Sequence, residues 1–129
     1  MEIRIRPNSP IIIPRVRIWG PKASREIDLI LDSGAMYTSI SWDVAKDIGY
    51  DPARVSRRAS IVTANGVIEV PLFEVDRITI SDLKATKVKV ICHDIPEVVE
   101  VEGLLGLSFL QHFRTTIDFK SRKVKIESF

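Results

Sequence analysis

Cysteine, histidine, leucine and net charge are all scarce in this chain of 129 residues, and each scarcity excludes something. The single cysteine, Cys92, leaves no internal disulfide. Together with the lack of a signal-like N-terminal segment, it sets the expectation of a reducing, cytoplasmic location. Soft metal ligands are few: Cys92, His93 and His112. Cys92 and His93 are neighbours in a strand-like run, so their side chains point to opposite faces, and no metal or other cofactor is expected. Lysine and arginine number 19 against 17 acidic residues, so strong electrostatic binding of nucleic acid is not expected either. The apolar stretch Ile11-Ile12-Ile13 is far too short to span a bilayer, and no membrane partner is expected. Only 8 Leu stand against 18 Ile and 13 Val. Residues stiff at χ1 fit a pleated surface, so the scarcity of leucine reads as sheet.

What is present supports one domain over residues 1–129, with enough apolar residues (45%) to bury a core unaided. No repeat, linker or low-complexity segment interrupts it. Glu2 to Arg6 alternates like a half-buried strand, and Pro7 and Pro10 stop it. A second strand is predicted from Ile11 to Trp19, with Arg15 and Arg17 on one face and Val16 and Ile18 on the other. Glu26 to Leu31 becomes continuously apolar toward its end, the pattern of burial on both faces. Thr38 to Ile40 is a short strand, followed by a helix with Ser41 as cap, Asp43 in its first turn and Gly49 past its end. Arg58–Thr63 and Val67–Val75 read as strands joined through Ala64-Asn65-Gly66, where Asn-Gly signals a hairpin. Arg77 to Ile80 and Lys87 to Cys92 extend the sheet, the second with its lysines outward. An acidic loop is expected over 94–102, a short helix near Ser108–Phe113, and a final hairpin from Thr115 to Glu127. The count is about nine strands and two short helices, an all-β, barrel-like domain.

Asp32 is the anomaly in this pattern. It follows Leu29-Ile30-Leu31 directly and precedes Ser33-Gly34-Ala35. A carboxylate at the mouth of a buried strand must find donors or shift its pKa. Glycine lets backbone N–H groups approach it, and the serine hydroxyl can brace the turn. Taken alone, Asp-Ser-Gly is an ordinary turn. Taken with the strand and helix, the Asn-Gly hairpin and the later Leu104-Leu105-Gly106, it belongs to an ordered set.

In that order and spacing the chain resembles the retropepsin-like aspartic proteases, in their cellular and microbial branch. Leu29 to Ala35 resembles the catalytic loop, with Asp32 as the catalytic acid and Ser33, Gly34 and Ala35 as its support. Thr63-Ala64-Asn65-Gly66-Val67 resembles the flap tip. Leu104-Leu105-Gly106 resembles the element that crosses behind the catalytic loop. The resemblance implies a closed acid-protease barrel, a single lobe with one or two short helices, that works as a symmetric homodimer on a peptide or protein substrate. It also implies that Ile30, Ala35, Val67, Leu104 and Leu105 line apolar substrate pockets, with a preference for hydrophobic residues at the cut. Two positions depart from the retroviral pattern. Met36 and Leu107 stand where an acid and an arginine usually pair, and both are apolar together, which leaves no orphan charge.

The implied activity is aspartic endopeptidase: a water activated between two Asp32 carboxyl groups, one per chain, hydrolyses the peptide bond. Asp118 lacks the glycine and reads as structural. The alternatives are a proteolytically silent peptide-binding or dimerisation module on the same fold, and an unrelated β domain in which Asp32 only makes a turn. His93 and His112 read as surface or partly buried residues and Cys92 as core, while Trp19 and Trp42 read as core or interface anchors. The N-terminal basic residues read as a solvated strand face.

Overall fold

The β-branched composition is realised as ten strands, two short helices and one 3-10 turn, seen in a computed structural model that describes residues 1–94 and 101–129. In chain order the elements are β1 (Glu2–Arg4), β2 (Ile12–Trp19), β3 (Ser24–Leu31), β4 (Thr38–Ile40), α1 (Trp42–Asp47), the 3-10 turn Pro52–Arg54 and β5 (Arg58–Thr63). They continue as β6 (Gly66–Ile80), β7 (Leu83–Cys92), β8 (Gly103–Leu105), α2 (Leu107–Leu110), β9 (Arg114–Asp118) and β10 (Lys123–Glu127). The two strands expected over Val67–Ile80 are one 15-residue strand, and the second helix ends at Leu110 rather than near Phe113. The centre of the expected acidic loop, 95–100, lies outside the described residues.

Six strands close a barrel in the order β2-β3-β8-β4-β7-β6, sealed by pairing of β6 with β2. Strand β5 hangs outside the seal, paired only along β6, so the β5–β6 hairpin projects from the barrel. Strand β8 slots between β3 and β4, parallel to the first and antiparallel to the second. This crossing brings 103–105 against residues far earlier in the chain.

Strand β2 departs from the strict alternation its sequence suggests. Proline has no N–H for the ladder, and the register shifts between Ile13 and Val16, around Pro14 and Arg15. Arg15 takes φ +53°, and its N–H donates to the Asp28 carboxylate at 3.1 Å. Because the bulge absorbs one residue, Ile13 and Val16 both reach the core. Helix α1 follows its sequence signals. The Ser41 hydroxyl accepts from the Val44 N–H, and Gly49 (φ +108°) turns the chain so that the Tyr50 N–H reaches the Ala45 carbonyl.

The core fills the barrel with Ile18, Leu29, Ile40, Ile78 and Leu105, and Phe109 of α2 is fully buried beside them. A smaller cluster, Ala59, Val70, Leu72 and Ile91, sits at the base of the β5–β6 hairpin. The chain ends pair with each other, since β1 lies along β10 and β10 along β9. Basic residues near the N-terminus are partly paired, Arg17 with Glu26 at 3.2 Å and Arg25 with Asp47 at 2.7 Å. No helix among the described residues is long and apolar enough to cross a membrane.

Cys92 is core, as its alternation suggests, and its thiol is pushed up to about 12 by burial first and by Asp94 second, against a smaller opposing effect of Lys46. The unfolded thiol ionises near its ordinary value of 9.0. The thiol's contribution to stability is therefore intact below about pH 9 and is lost as pH rises toward about 12. A thiol-alkylating reagent at pH 8 is expected to label urea-unfolded chain fully while the folded protein stays unlabelled. Equal labelling rates in both states would contradict the buried, protonated thiol.

Candidate active site

Asp32 is the first residue beyond β3, and its backbone N–H still donates to Leu105 of β8 at 3.0 Å. The next residues turn tightly. The Ala35 N–H donates to the Asp32 carbonyl at 3.2 Å, and the Gly34 N–H donates to Asp32 Oδ1 at 2.9 Å. The half-buried carboxylate thus finds the backbone donor that its position demanded. Ser33 is exposed.

The loop is held from behind by the β8–α2 junction. Leu107 and Ser108 donate their N–H groups to the carbonyls of Ala35 and Met36, at 2.8 and 2.9 Å. Buried Thr38 and Ser108 satisfy each other. The Thr38 N–H donates to Ser108 Oγ at 2.8 Å, Ser108 Oγ donates to Thr38 Oγ1 at 3.1 Å, and Thr38 Oγ1 accepts from the Gly106 N–H at 3.2 Å. Gly106 leaves no room for a side chain. A Cβ there would lie 2.5 Å from the Tyr37 carbonyl oxygen and 2.8 Å from that of Ala35, both backbone atoms.

In front of the loop opens a cleft of about 460 Å³. Asp32, Gly34, Ala35 and Met36 form one wall, Ser60, Ile61 and Val62 of β5 another, and Ser39, Ile91 and Leu104 lie along it between them. Asp32 is the one carboxylate among the described residues that line it. Hydrophobic side chains stand exposed around this end of the molecule: Met36 at 67%, Val62 at 84% and Val67 at 68%.

A family model described as "gag-polyprotein putative aspartyl protease" matches residues 22–112, from the β2–β3 turn past α2. The chain belongs to this aspartyl protease family. A solved retropepsin-like aspartic protease from Rickettsia conorii has a similar fold, with a TM-score of 0.71, 18% sequence identity, and coverage of 96% of this chain and 95% of that one. No curated protein matches. The retropepsin-like barrel expected from the sequence is the observed fold.

Within the aspartyl protease fold the named residues separate into those that meet and those that do not. Asp32, Gly34, Ala35 and Leu104 come together at the cleft. Leu105, expected in a pocket, points into the barrel core with no exposure. Two consecutive strand residues face opposite sides, so Leu104 and Leu105 cannot both line the cleft. Ile30 is half-buried beside its partner Leu104 but stands outside the cleft lining, and Val67 lies outside it too, exposed on the hairpin. The hairpin turns at Ala64-Asn65, with Thr63 paired to Gly66; Gly66, not Asn65, takes the positive φ (+117°). The sequence signal placed the hairpin, one residue away from its observed centre. Tyr37, Ser39, Ser60, Ile61, Ile91 and His93 line the cleft without having been expected there. Their alternation alone could have marked them as facing one side of a strand, but not which strands become neighbours.

Proposed function

We propose that this aspartyl protease family member is an aspartic endopeptidase that acts as a homodimer on an extended peptide. The carrying observation is the single carboxylate in the cleft: Asp32, with Oδ1 held by the Gly34 N–H, beside a peptide-sized groove with no second acid among its described lining residues. Hydrolysis through an activated water without a metal needs a base and an acid together. Two carboxyl groups about 3 Å apart share one proton and supply both roles. One takes a proton from water, and the other donates to the scissile carbonyl as its oxygen gains charge. A second copy of this chain, related by a two-fold axis, brings the second Asp32. Ser33, exposed at the turn, is free to bridge the two loops there. Met36 (67% exposed) and Leu107 (41% exposed) stand next to the loop as apolar surface for that contact. The Thr63–Val67 end of the β5–β6 hairpin acts as the flap, closing over the peptide and excluding water.

The test is cleavage of a diverse peptide library as a function of pH and protein concentration. A dyad gives a bell-shaped acidic profile belonging to the pair, and dissociation makes specific activity fall on dilution. Absence of cleavage by a purified dimer between about pH 3 and 7 would leave a silent peptide-binding module on the same fold. A protein that stays monomeric at high concentration would remove both readings.

A further inference from the structure

A separate groove of about 740 Å³ runs along the N-terminal arm and shares no lining residue with the Asp32 cleft. Its apolar lining includes Ile3, Ile5, Ile11 and Ile12, all half-buried. Three exposed cations stand on it, Arg4, Arg6 and Arg122. None of the three has an ion-pair partner among the described residues, whereas Arg17, Arg25 and Arg54 elsewhere do. The one acid in the lining, Asp28, has Oδ1 taken by the Arg15 N–H. On a chain whose net charge is only +2, these cations are collected in one place rather than spread. Strand β1 borders the groove with an open edge. Its odd residues spend their backbone groups on β10: the Met1 carbonyl accepts from the Ile126 N–H and the Ile5 N–H donates to the Arg122 carbonyl, both at 2.9 Å. Antiparallel pairing alternates, so the backbone groups of Glu2 and Arg4 point away from β10, and no other described strand pairs with β1.

We propose that this groove docks an extended acidic segment of a partner protein, added as a strand on the open edge of β1. The backbone of the segment pairs with Glu2 and Arg4, and its carboxylates meet Arg4, Arg6 and Arg122. Cross-strand neighbours share a face, so acids are wanted beside Arg4 and Arg6, and apolar side chains beside Ile3 and Ile5. The fitting sequence therefore alternates acidic and apolar residues. The charge on the groove selects against a basic segment. A single strand of nucleic acid would use aromatic rings to stack its bases, and no aromatic residue is among the described residues that line the groove. A second copy of the chain would bring another set of the same unpaired arginines to it.

The experiment measures, by fluorescence anisotropy, binding of a labelled peptide that alternates glutamate and valine over about eight residues. The protein used is Asp32→Asn, so that cleavage does not consume the probe. Saturable binding is expected, weakening by about tenfold or more when Arg4→Gln and Arg6→Gln are combined, and weakening again as salt is raised. Both side chains are exposed, so the double variant keeps its fold. Arg54→Gln, which removes an exposed cation paired with Asp51, is expected to leave binding unchanged. A peptide with lysine in place of glutamate, and a fully N-methylated peptide with no amide donors, are expected not to bind. No binding of the glutamate–valine peptide, binding that the double variant leaves intact, or binding that survives N-methylation overturns the inference. So does tighter binding of a single-stranded oligonucleotide, or self-association through this edge that excess peptide does not displace. The readout is binding, not cleavage, so each of these outcomes leaves the peptidase reading to its own test.

Discussion

Asp32→Asn is expected to lower peptide cleavage by on the order of 10⁴-fold or more while the barrel remains folded. On the proposed mechanism the substitution strikes both copies at once. An amide cannot take a proton from water, and two amides cannot share one between them. The structural cost is small for a definite reason. Asp32 is half-buried, and its one contact of note, Oδ1 with the Gly34 N–H at 2.9 Å, is equally available to the amide oxygen of asparagine. Cleavage assays must therefore be read beside a urea unfolding curve and the oligomeric state. Loss of activity with an unchanged midpoint supports the dyad. Residual activity within about tenfold of wild type would mean that the carboxylate is not the base. Asp118→Asn is the matching control, because Asp118 serves a turn. Its carboxylate accepts from the N–H groups of Ser121 and Lys120, and these bonds, Ser121's first, hold it below the usual carboxylate range. No change in cleavage is expected from it.

The second large effect falls on stability. Gly106→Ala is expected to cost about 3 kcal/mol or more, the upper end of overpacking costs, because the clash is with backbone. The added methyl would come within 2.8 Å of two carbonyl oxygens, those of Tyr37 and Ala35. Neither can swing away as a side chain could. Both belong to the loop that carries Asp32, and the junction around Gly106 is stitched to that loop by the N–H groups of Leu107 and Ser108. Relief of the clash must therefore move the loop, so cleavage should fall along with stability. A urea midpoint equal to that of wild type would show that the two segments are not packed as closely as described.

Much of the fold was legible because its signals are local. Ser41, Asp43 and Gly49 marked both ends of α1, since capping depends on residues within one turn. Alternation put Cys92 in the core and Lys87 and Lys89 outside. The Asn-Gly signal placed the hairpin, yet the turn formed at Ala64-Asn65 instead, with glycine taking the positive φ one position later. The sequence reads β2 as a regular alternating strand, and the bulge that sends both Ile13 and Val16 inward needed the Asp28 carboxylate across the strand to receive the Arg15 N–H. The site was legible in its motif and not in its surroundings. Asp32, Gly34 and Ala35 stand out by chemistry. Ser39 and Ile91 look like unremarkable strand residues until they are set beside Leu104.

The sequence by itself determined that this is a sheet protein with no disulfide, carrying one Asp-Ser-Gly turn at the end of a buried strand. Those follow from composition, period-two patterning and turn chemistry, all of which act over a few residues. Only the tertiary structure decided that β8 enters between β3 and β4, and with it that Leu104 faces the cleft while Leu105 faces the core. It also decided that the Ser39 hydroxyl ends up buried beside the groove with no partner among the described residues. The physical reason is range. Alternation says that adjacent residues face opposite sides, but the side that becomes a groove is chosen by pairing between segments some 65 residues apart, as Ser39 is from Leu104.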